Sequence, residues 1–216
     1  QRVYQRGRNG IPNLNEANAA FGEGTVLSPF YLGSKYAPNT TFYDNLNNFF
    51  GTGITQQHNL SVEGGNDGFT YRFNTGYTNQ DGVIPSSGYD RLNLRFSANA
   101  KLSPKSNMLV TANYINVNVD KTTKGLGGYY MTALTWPGDN DMSQYLNSNV
   151  TRKLLFSAGT TNSTEYDNPF WDVNKNESKD RTNRILGNIT YNYNPAKFIG
   201  FTTIVSVDNY TTQGYQ

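Results

Sequence analysis

Cysteine is absent from this 216-residue sequence, and histidine occurs once, as His58. Those two shortages remove a disulfide framework, a thiol nucleophile, a Cys-type zinc site and any multi-His metal centre. Charge is scarce as well: 16% of residues are Asp, Glu, Lys or Arg, against about 25% in a typical globular domain. A net charge of +2 with no Lys/Arg run gives nucleic acid nothing to grip, so no nucleic-acid partner is expected. No apolar stretch approaches the ~18 residues of a membrane-spanning helix. Only 36% of the chain is hydrophobic, yet aromatics reach 14%, which argues against a disordered polymer. Asn, Thr, Ser and Gly fill much of the remainder, and 16 of the aromatics are Tyr. Such a balance reads as an all-β chain whose strands face lipid on one side and water on the other.

Periodicity supports that reading. In Phe69-Thr70-Tyr71-Arg72-Phe73-Asn74-Thr75-Gly76-Tyr77 the odd positions are mostly aromatic, while the even positions hold Arg, Asn, Thr and Gly. Strict alternation places the two sets on opposite faces of a strand. Arg91 to Leu102 alternates in the same way, with its even positions apolar. Met108 to Val119 begins with this rule and then slips phase to Ile115, Val117 and Val119, which predicts a bulge near Tyr114. Ile185–Tyr193, Phe201–Val207 and a shorter strand over Gln57–Val62 complete a set of six. Most are about 9–12 residues long, the length of a tilted strand crossing a bilayer rather than the 5–6 usual in soluble sheets.

Connections sharpen the expectation. Short turns (64–68, 103–107, 194–197) alternate with a medium loop (79–88) and a very long one (120–180). Outer-membrane barrels show this asymmetry, with short periplasmic turns and long extracellular loops. The expected lipid-facing set is Phe69, Tyr71, Phe73, Leu92, Leu94, Phe96, Ile185 and Val205. The expected lumen-facing polar set is Arg72, Asn74, Arg91, Asn93, Arg95, Arg184 and Asn188, together with Thr202. An arginine facing hydrocarbon at the midplane would cost about 2–4 kcal/mol, so arginines belong inside. Aromatic girdles are expected from Phe69, Tyr191, Tyr193 and Phe198 at one interface and from Tyr77 and Tyr89 at the other.

Three stretches carry a family resemblance. They are Asn48-Phe49-Phe50-Gly51-Thr52-Gly53 with Gln57-His58-Asn59-Leu60-Ser61-Val62-Glu63-Gly64-Gly65; Gly76-Tyr77-Thr78-Asn79-Gln80-Asp81-Gly82-Val83-Ile84 with Tyr89-Asp90-Arg91; and Asn168-Pro169-Phe170-Trp171-Asp172-Val173-Asn174-Lys175-Asn176 with Asp180-Arg181. As a set, over residues 42–210, they resemble the SusC/RagA family of TonB-dependent outer-membrane transporters of Bacteroidota. The resemblance implies a 22-stranded barrel with an N-terminal plug, driven by the TonB system and capped by a SusD-like surface lipoprotein. It also implies import of glycans or peptides too large for porins. With about six strands, no plug and no initiator Met, the chain reads as an early-barrel piece of a longer polypeptide. The expected segments are an extracellular loop region over 1–54, barrel strands over 55–119, a long extracellular loop over 120–180, and barrel strands over 181–216.

The remaining chemistry-bearing residues are weighed against bland roles. His58 reads as a polar strand residue. Asp139-Asn140-Asp141 has the spacing of a calcium loop but lacks the later Gly and the bidentate Glu, so no metal is expected. The inward arginines Arg72, Arg91, Arg95 and Arg184 either serve an anionic substrate or pair with lumen carboxylates or with plug residues outside this chain. Among the loop aromatics Tyr129, Tyr130, Trp136, Tyr145, Tyr166, Phe170 and Trp171, the first three are the candidates for substrate or lid contact, and Trp171 reads as structural. Glu165, Asp167 and Asp172 offer carboxylates for glycoside hydrolysis, with no supporting pattern. No catalytic residue and no cofactor is expected. A scaffold barrel of a larger outer-membrane assembly and a secreted carbohydrate-binding β-sandwich are the rival readings.

Overall fold

The computed structural model describes residues 3–7, 28–124, 128–153 and 167–215. Two compact units divide them: one built from 53–82, 87–121 and 178–216, the other from 1–52, 83–86 and 122–177.

The first unit is one antiparallel sheet of six strands: β3 (Thr55–Gly65), β4 (Phe69–Asp81), β5 (Gly88–Ser103), β6 (Ser106–Lys121), β7 (Ser178–Ala196) and β8 (Ile199–Tyr215). They pair in chain order, each with its sequence neighbours. All six expected strands are present, and each is longer than its alternating stretch. The sheet therefore has the all-β, antiparallel architecture of a barrel segment. At one end the connections are residues 66–68, 104–105 and 197–198; at the other they are 82–87 and 122–177. The 66–68 turn depends on Gly65, whose φ of +143° suits glycine alone. A Cβ there would lie 2.2 Å from the Phe69 carbonyl oxygen. Asn66 completes the turn by accepting the Gly68 and Phe69 amides at 2.9 and 3.0 Å.

The predicted bulge near Tyr114 is absent. Register between β5 and β6 runs unbroken from Gly88↔Asp120 to Lys101↔Asn107, and the irregularity lies between Lys101 and Ser103. The phase slip is one of composition. Beyond Tyr114 the face that held Met108, Val110 and Ala112 carries Asn116, Asn118 and Asp120. The other face gains Ile115, Val117 and Val119.

The second unit contains a two-stranded antiparallel sheet, β1 (Tyr4–Gly7) with β2 (Ser28–Lys35), that periodicity had not signalled. Among its described residues it also contains three short helices: α1 (Asn45–Phe49), α2 (Tyr129–Thr135) and α3 (Pro169–Lys175). Helix α3 has strong local signals. Asn168 caps it by accepting the Phe170 amide at 2.7 Å, Pro169 occupies the first turn, Asp172 sits near its start and Lys175 near its end. Helix α2 starts at Gly128 with no side-chain cap of its own; its Tyr129 amide donates to Asp172 Oδ2 of α3 at 3.1 Å. Around these helices lies a small core of Phe49, Tyr129, Ala133, Trp136, Met142 and Val173, with Phe50, Ile84 and Phe170 packed against it. Phe49 meets Phe170 edge-on at 5.0 Å and stacks on Tyr129 at 5.7 Å. Asn45 stitches the neighbouring loop by donating to the Pro137 and Asn140 carbonyls at 3.1 and 2.9 Å and accepting the Met142 amide at 3.1 Å.

Candidate functional site

The site is a pair of faces rather than a pocket of reactive groups. Directly paired residues in a ladder point to the same side of a sheet, so the register sorts every strand residue. One face carries Leu60, Val62, Phe73, Tyr71, Leu92, Leu94, Phe96, Val110, Ile185, Ile189, Val205 and Val207 in consecutive cross-strand rows. A single row reads Val62, Phe73, Phe96, Ala112, Gly187, Val207. None of these side chains is buried: Leu60 is 63% exposed, Ile185 55% and Val205 64%, while Leu92, Leu94 and Val110 are half-buried among their neighbours. A contiguous exposed apolar surface of this kind marks an interaction surface rather than a core. Towards the long-loop end it gives way to rows of Asn79, Asp90, Asn116, Asn118, Asn183 and Arg181. Tyr77 and Tyr114 mark that boundary, donating to Asp90 at 3.1 Å and Asn183 at 2.8 Å. Phe69, Tyr191 and Tyr193 mark the other end of the same face. Exposed His58 stands on this face opposite Tyr77.

The opposite face is polar. Register puts Arg72, Asn74, Arg91, Asn93, Arg95, Arg184, Asn188 and Thr202 all on it. Tyr89 also lies here, opposite Gln80 and Val119, rather than in a girdle with Tyr77, because it has the other parity on β5. The four arginines divide. Arg72 is paired with Glu63, and Arg184 forms a fork on Asp208 at 2.8 and 2.5 Å. Lys121 likewise meets Asp180 at 2.6 Å. Among the described residues, the side chains of Arg91 and Arg95 have neither a hydrogen-bond nor an ion-pair partner. Asn188 donates to Ser206 and Thr202 to Asn192, both at 2.8 Å, extending the polar ladder across β7 and β8.

In the second unit the three loop aromatics part company. Tyr129 and Trp136 are each only 9% exposed and belong to the small core, so they cannot present a ring to a ligand. An aromatic in an Asn- and Ser-rich loop fills whatever apolar space the fold offers, and here that space lies beside Phe49 and Val173. Tyr130 is 53% exposed on the far side of α2. Asp172 is buried and spent on the α2 amide and on Asn176; Asp167 pairs with Arg152. Asp141 accepts from the Ser143 amide and hydroxyl at 3.0 and 2.7 Å, an Asx turn that draws its carboxyl below the ordinary range. Among the described residues no group of three or more His, Cys, Asp or Glu could hold a metal. Glu165 and Tyr166 lie outside the described residues.

A long-stranded antiparallel sheet with one apolar and one polar face, hairpin turns at one end and long connections at the other, defines a segment of β-barrel wall. In fold the chain is similar to part of a solved chain of the RagAB peptide importer in its closed-closed state, with a TM-score of 0.61 and 17% sequence identity. The match covers 81% of this chain and 19% of that one, so the chain spans about a fifth of its neighbour's length. No protein-family model and no curated protein matches the sequence.

Proposed function

We propose that the chain is a stretch of wall from a TonB-dependent outer-membrane transporter of the SusC type. In this reading it takes up large nutrients, glycans or peptides, in partnership with a SusD-like surface lipoprotein and under the drive of the TonB system. The observation that carries the reading is the uncovered apolar face. On β5 that face runs from Leu92 to Ala100, about 27 Å along the strand at 3.4 Å per residue. At the usual barrel tilt of about 40° this becomes roughly 21 Å of height, close to the ~25 Å apolar band of outer-membrane barrels. Lipid is the solvent that such rows require, and the polar ladder behind them suits a wet lumen. The fold shared with part of a peptide importer supports the same reading. Substrate would be held by the long connections and pass the polar face without chemical change, so no catalytic group is assigned.

The test is the native polypeptide in a purified outer-membrane fraction. Heat-modifiable migration, a mass matching a full transporter barrel, and energy-dependent uptake lost on deletion are the expected results. A water-soluble 24.1 kDa species that needs no detergent would overturn the proposal.

A further inference from the structure

We infer that the polar end of the apolar face is a docking surface for a glycolipid headgroup several sugars thick. The inference rests on the proposed transporter reading, in which the apolar rows face hydrocarbon, and it names the lipid that surrounds them at the long-loop end. The first observation is an asymmetry between the two ends of that face. At the hairpin end it is largely apolar up to the turns, with Phe69, Ala100, Met108, Tyr191 and Phe201 on the last rungs. At the long-loop end the apolar rows stop at Tyr77 and Tyr114, and the strands continue as a polar collar. From Tyr114 to Asp120, β6 climbs about 20 Å, roughly 16 Å of height at the usual tilt of about 40°. An ordinary bilayer has only about 5–8 Å of headgroup layer on each side of its hydrocarbon. A leaflet whose lipids cover Leu94 and Phe96 must set their headgroups against the collar, and a layer of phosphates alone is too thin to span it.

The second observation is an inversion of polarity. Along the same stretch of β6 the opposite face turns apolar, through Ile115, Val117 and Val119, with Tyr89 beside Val119. The collar is therefore not a strand end that is hydrophilic all round; its polarity belongs to the side that the lipid covers. Its chemistry is narrow as well. On β4, β5 and β6 its side chains are Asn79, Asp81, Asp90, Asn116, Asn118 and Asp120, residue types that strands otherwise avoid. Tyr77 and Asn79 converge on Asp90 Oδ1 at 3.1 and 2.7 Å. Asn118 donates to Asn116 at 3.2 Å, and Asn116 to Asn183 on β7 at 2.8 Å. Short side chains tied to one another make a rigid lattice of acceptors and amide donors, which matches the paired hydroxyls of a sugar. Three carboxylates in that lattice accept from hydroxyls and repel phosphate, so sugar rather than lipid phosphate is the ligand. A face washed by bulk water needs neither the lattice nor its height.

The chain has no cysteine, so single cysteines can report on each position. The native polypeptide is reconstituted into vesicles of phosphatidylglycerol, alone or mixed with lipid A or with a lipopolysaccharide that carries its core sugars, and treated with a hydrophilic maleimide. Asn118→Cys is expected to react in phosphatidylglycerol and beside lipid A, and to be protected several-fold by the lipopolysaccharide. Thr182→Cys, which lies on the opposite face and pairs with Val117, should react at one rate in all three, and Val110→Cys in none. In detergent, the Asn116→Ala/Asn183→Ala variant should bind the lipopolysaccharide about tenfold more weakly, a few-fold for each amide, with heat-modifiability confirming that the barrel has folded. Protection at position 118 tests the inference even if that variant fails to fold. Unchanged reactivity at 118, equal protection by lipid A, matching protection of Thr182→Cys, or undiminished binding by the folded double variant would each overturn it. Reaction of Val110→Cys in phosphatidylglycerol defeats the bilayer reading and the collar with it, whereas silence at 110 without protection at 118 defeats the collar alone.

Discussion

The two units of this chain are held together by different physics. Among the described residues the six-stranded unit has no buried apolar residue, and the buried hydrophobic side chains Phe49, Tyr129, Ala133, Trp136, Met142 and Val173 belong to the other. In the sheet, order comes from a continuous backbone ladder, and the large apolar side chains stay exposed or half-buried. In the helical unit, order comes from a few side chains converging from distant parts of the sequence, as where Asn45 serves the backbone of residues 137–142. A sheet of this kind draws its stability from the solvent around it. A small core draws it from shape and from satisfied polar groups.

Substitutions can separate the two modes. The largest effect should come from Phe49→Ala, which opens a cavity at the centre of the small core and costs about 3–5 kcal/mol. Limited proteolysis should then cut within 122–177 while heat-modifiable migration stays unchanged; simultaneous loss of both would mean that the units do not behave independently. Next comes Leu94→Arg on the apolar face, expected to cost about 2–4 kcal/mol in lipid by urea titration of the folded protein. Ser97→Arg, on the other face, should cost less than half of that, and equal penalties would erase the distinction between the faces. Asn45→Ala should cost about 1–3 kcal/mol by stranding the Met142 amide and two carbonyls, read from the proteolysis of the same loop. The smallest is a pH effect. Asp141 has a carboxyl held below its ordinary value by Ser143, so its stabilisation is present above the ordinary carboxylate range and is lost as pH falls through the lower folded value. Asp141→Asn should therefore lower the stability of the loop at neutral pH, and the gap to wild type should close below about pH 4.

The two modes also differ in how far they could be read beforehand. Alternation found every strand of the large sheet, because burying one face in a single solvent writes a period of two into the residues. It fell short where that contrast fades. Residues 178–184 of β7 are polar on both faces, so the strand begins well before its alternating stretch at Ile185. The slip at Ile115 mimicked a bulge for the same reason: the face that is apolar nearer the hairpin turns changes from Ala112 and Tyr114 to Asn116 and Asn118 while the ladder continues. In the other unit, Asn168-Pro169 followed by Asp172 and Lys175 is a helix signature that could have been recognised. Nothing near Gly128 announces that α2 is capped by Asp172 from 43 residues away.

By itself, then, the order of residues determined the strands, their facing sets and the two-sided character of the sheet, since each is a local consequence of parity along an extended chain. Only the tertiary structure decided which arginines find a carboxylate among the described residues and which loop aromatics are spent on a core. Those properties depend on partners that register and packing bring together from far along the chain, and no local pattern encodes them.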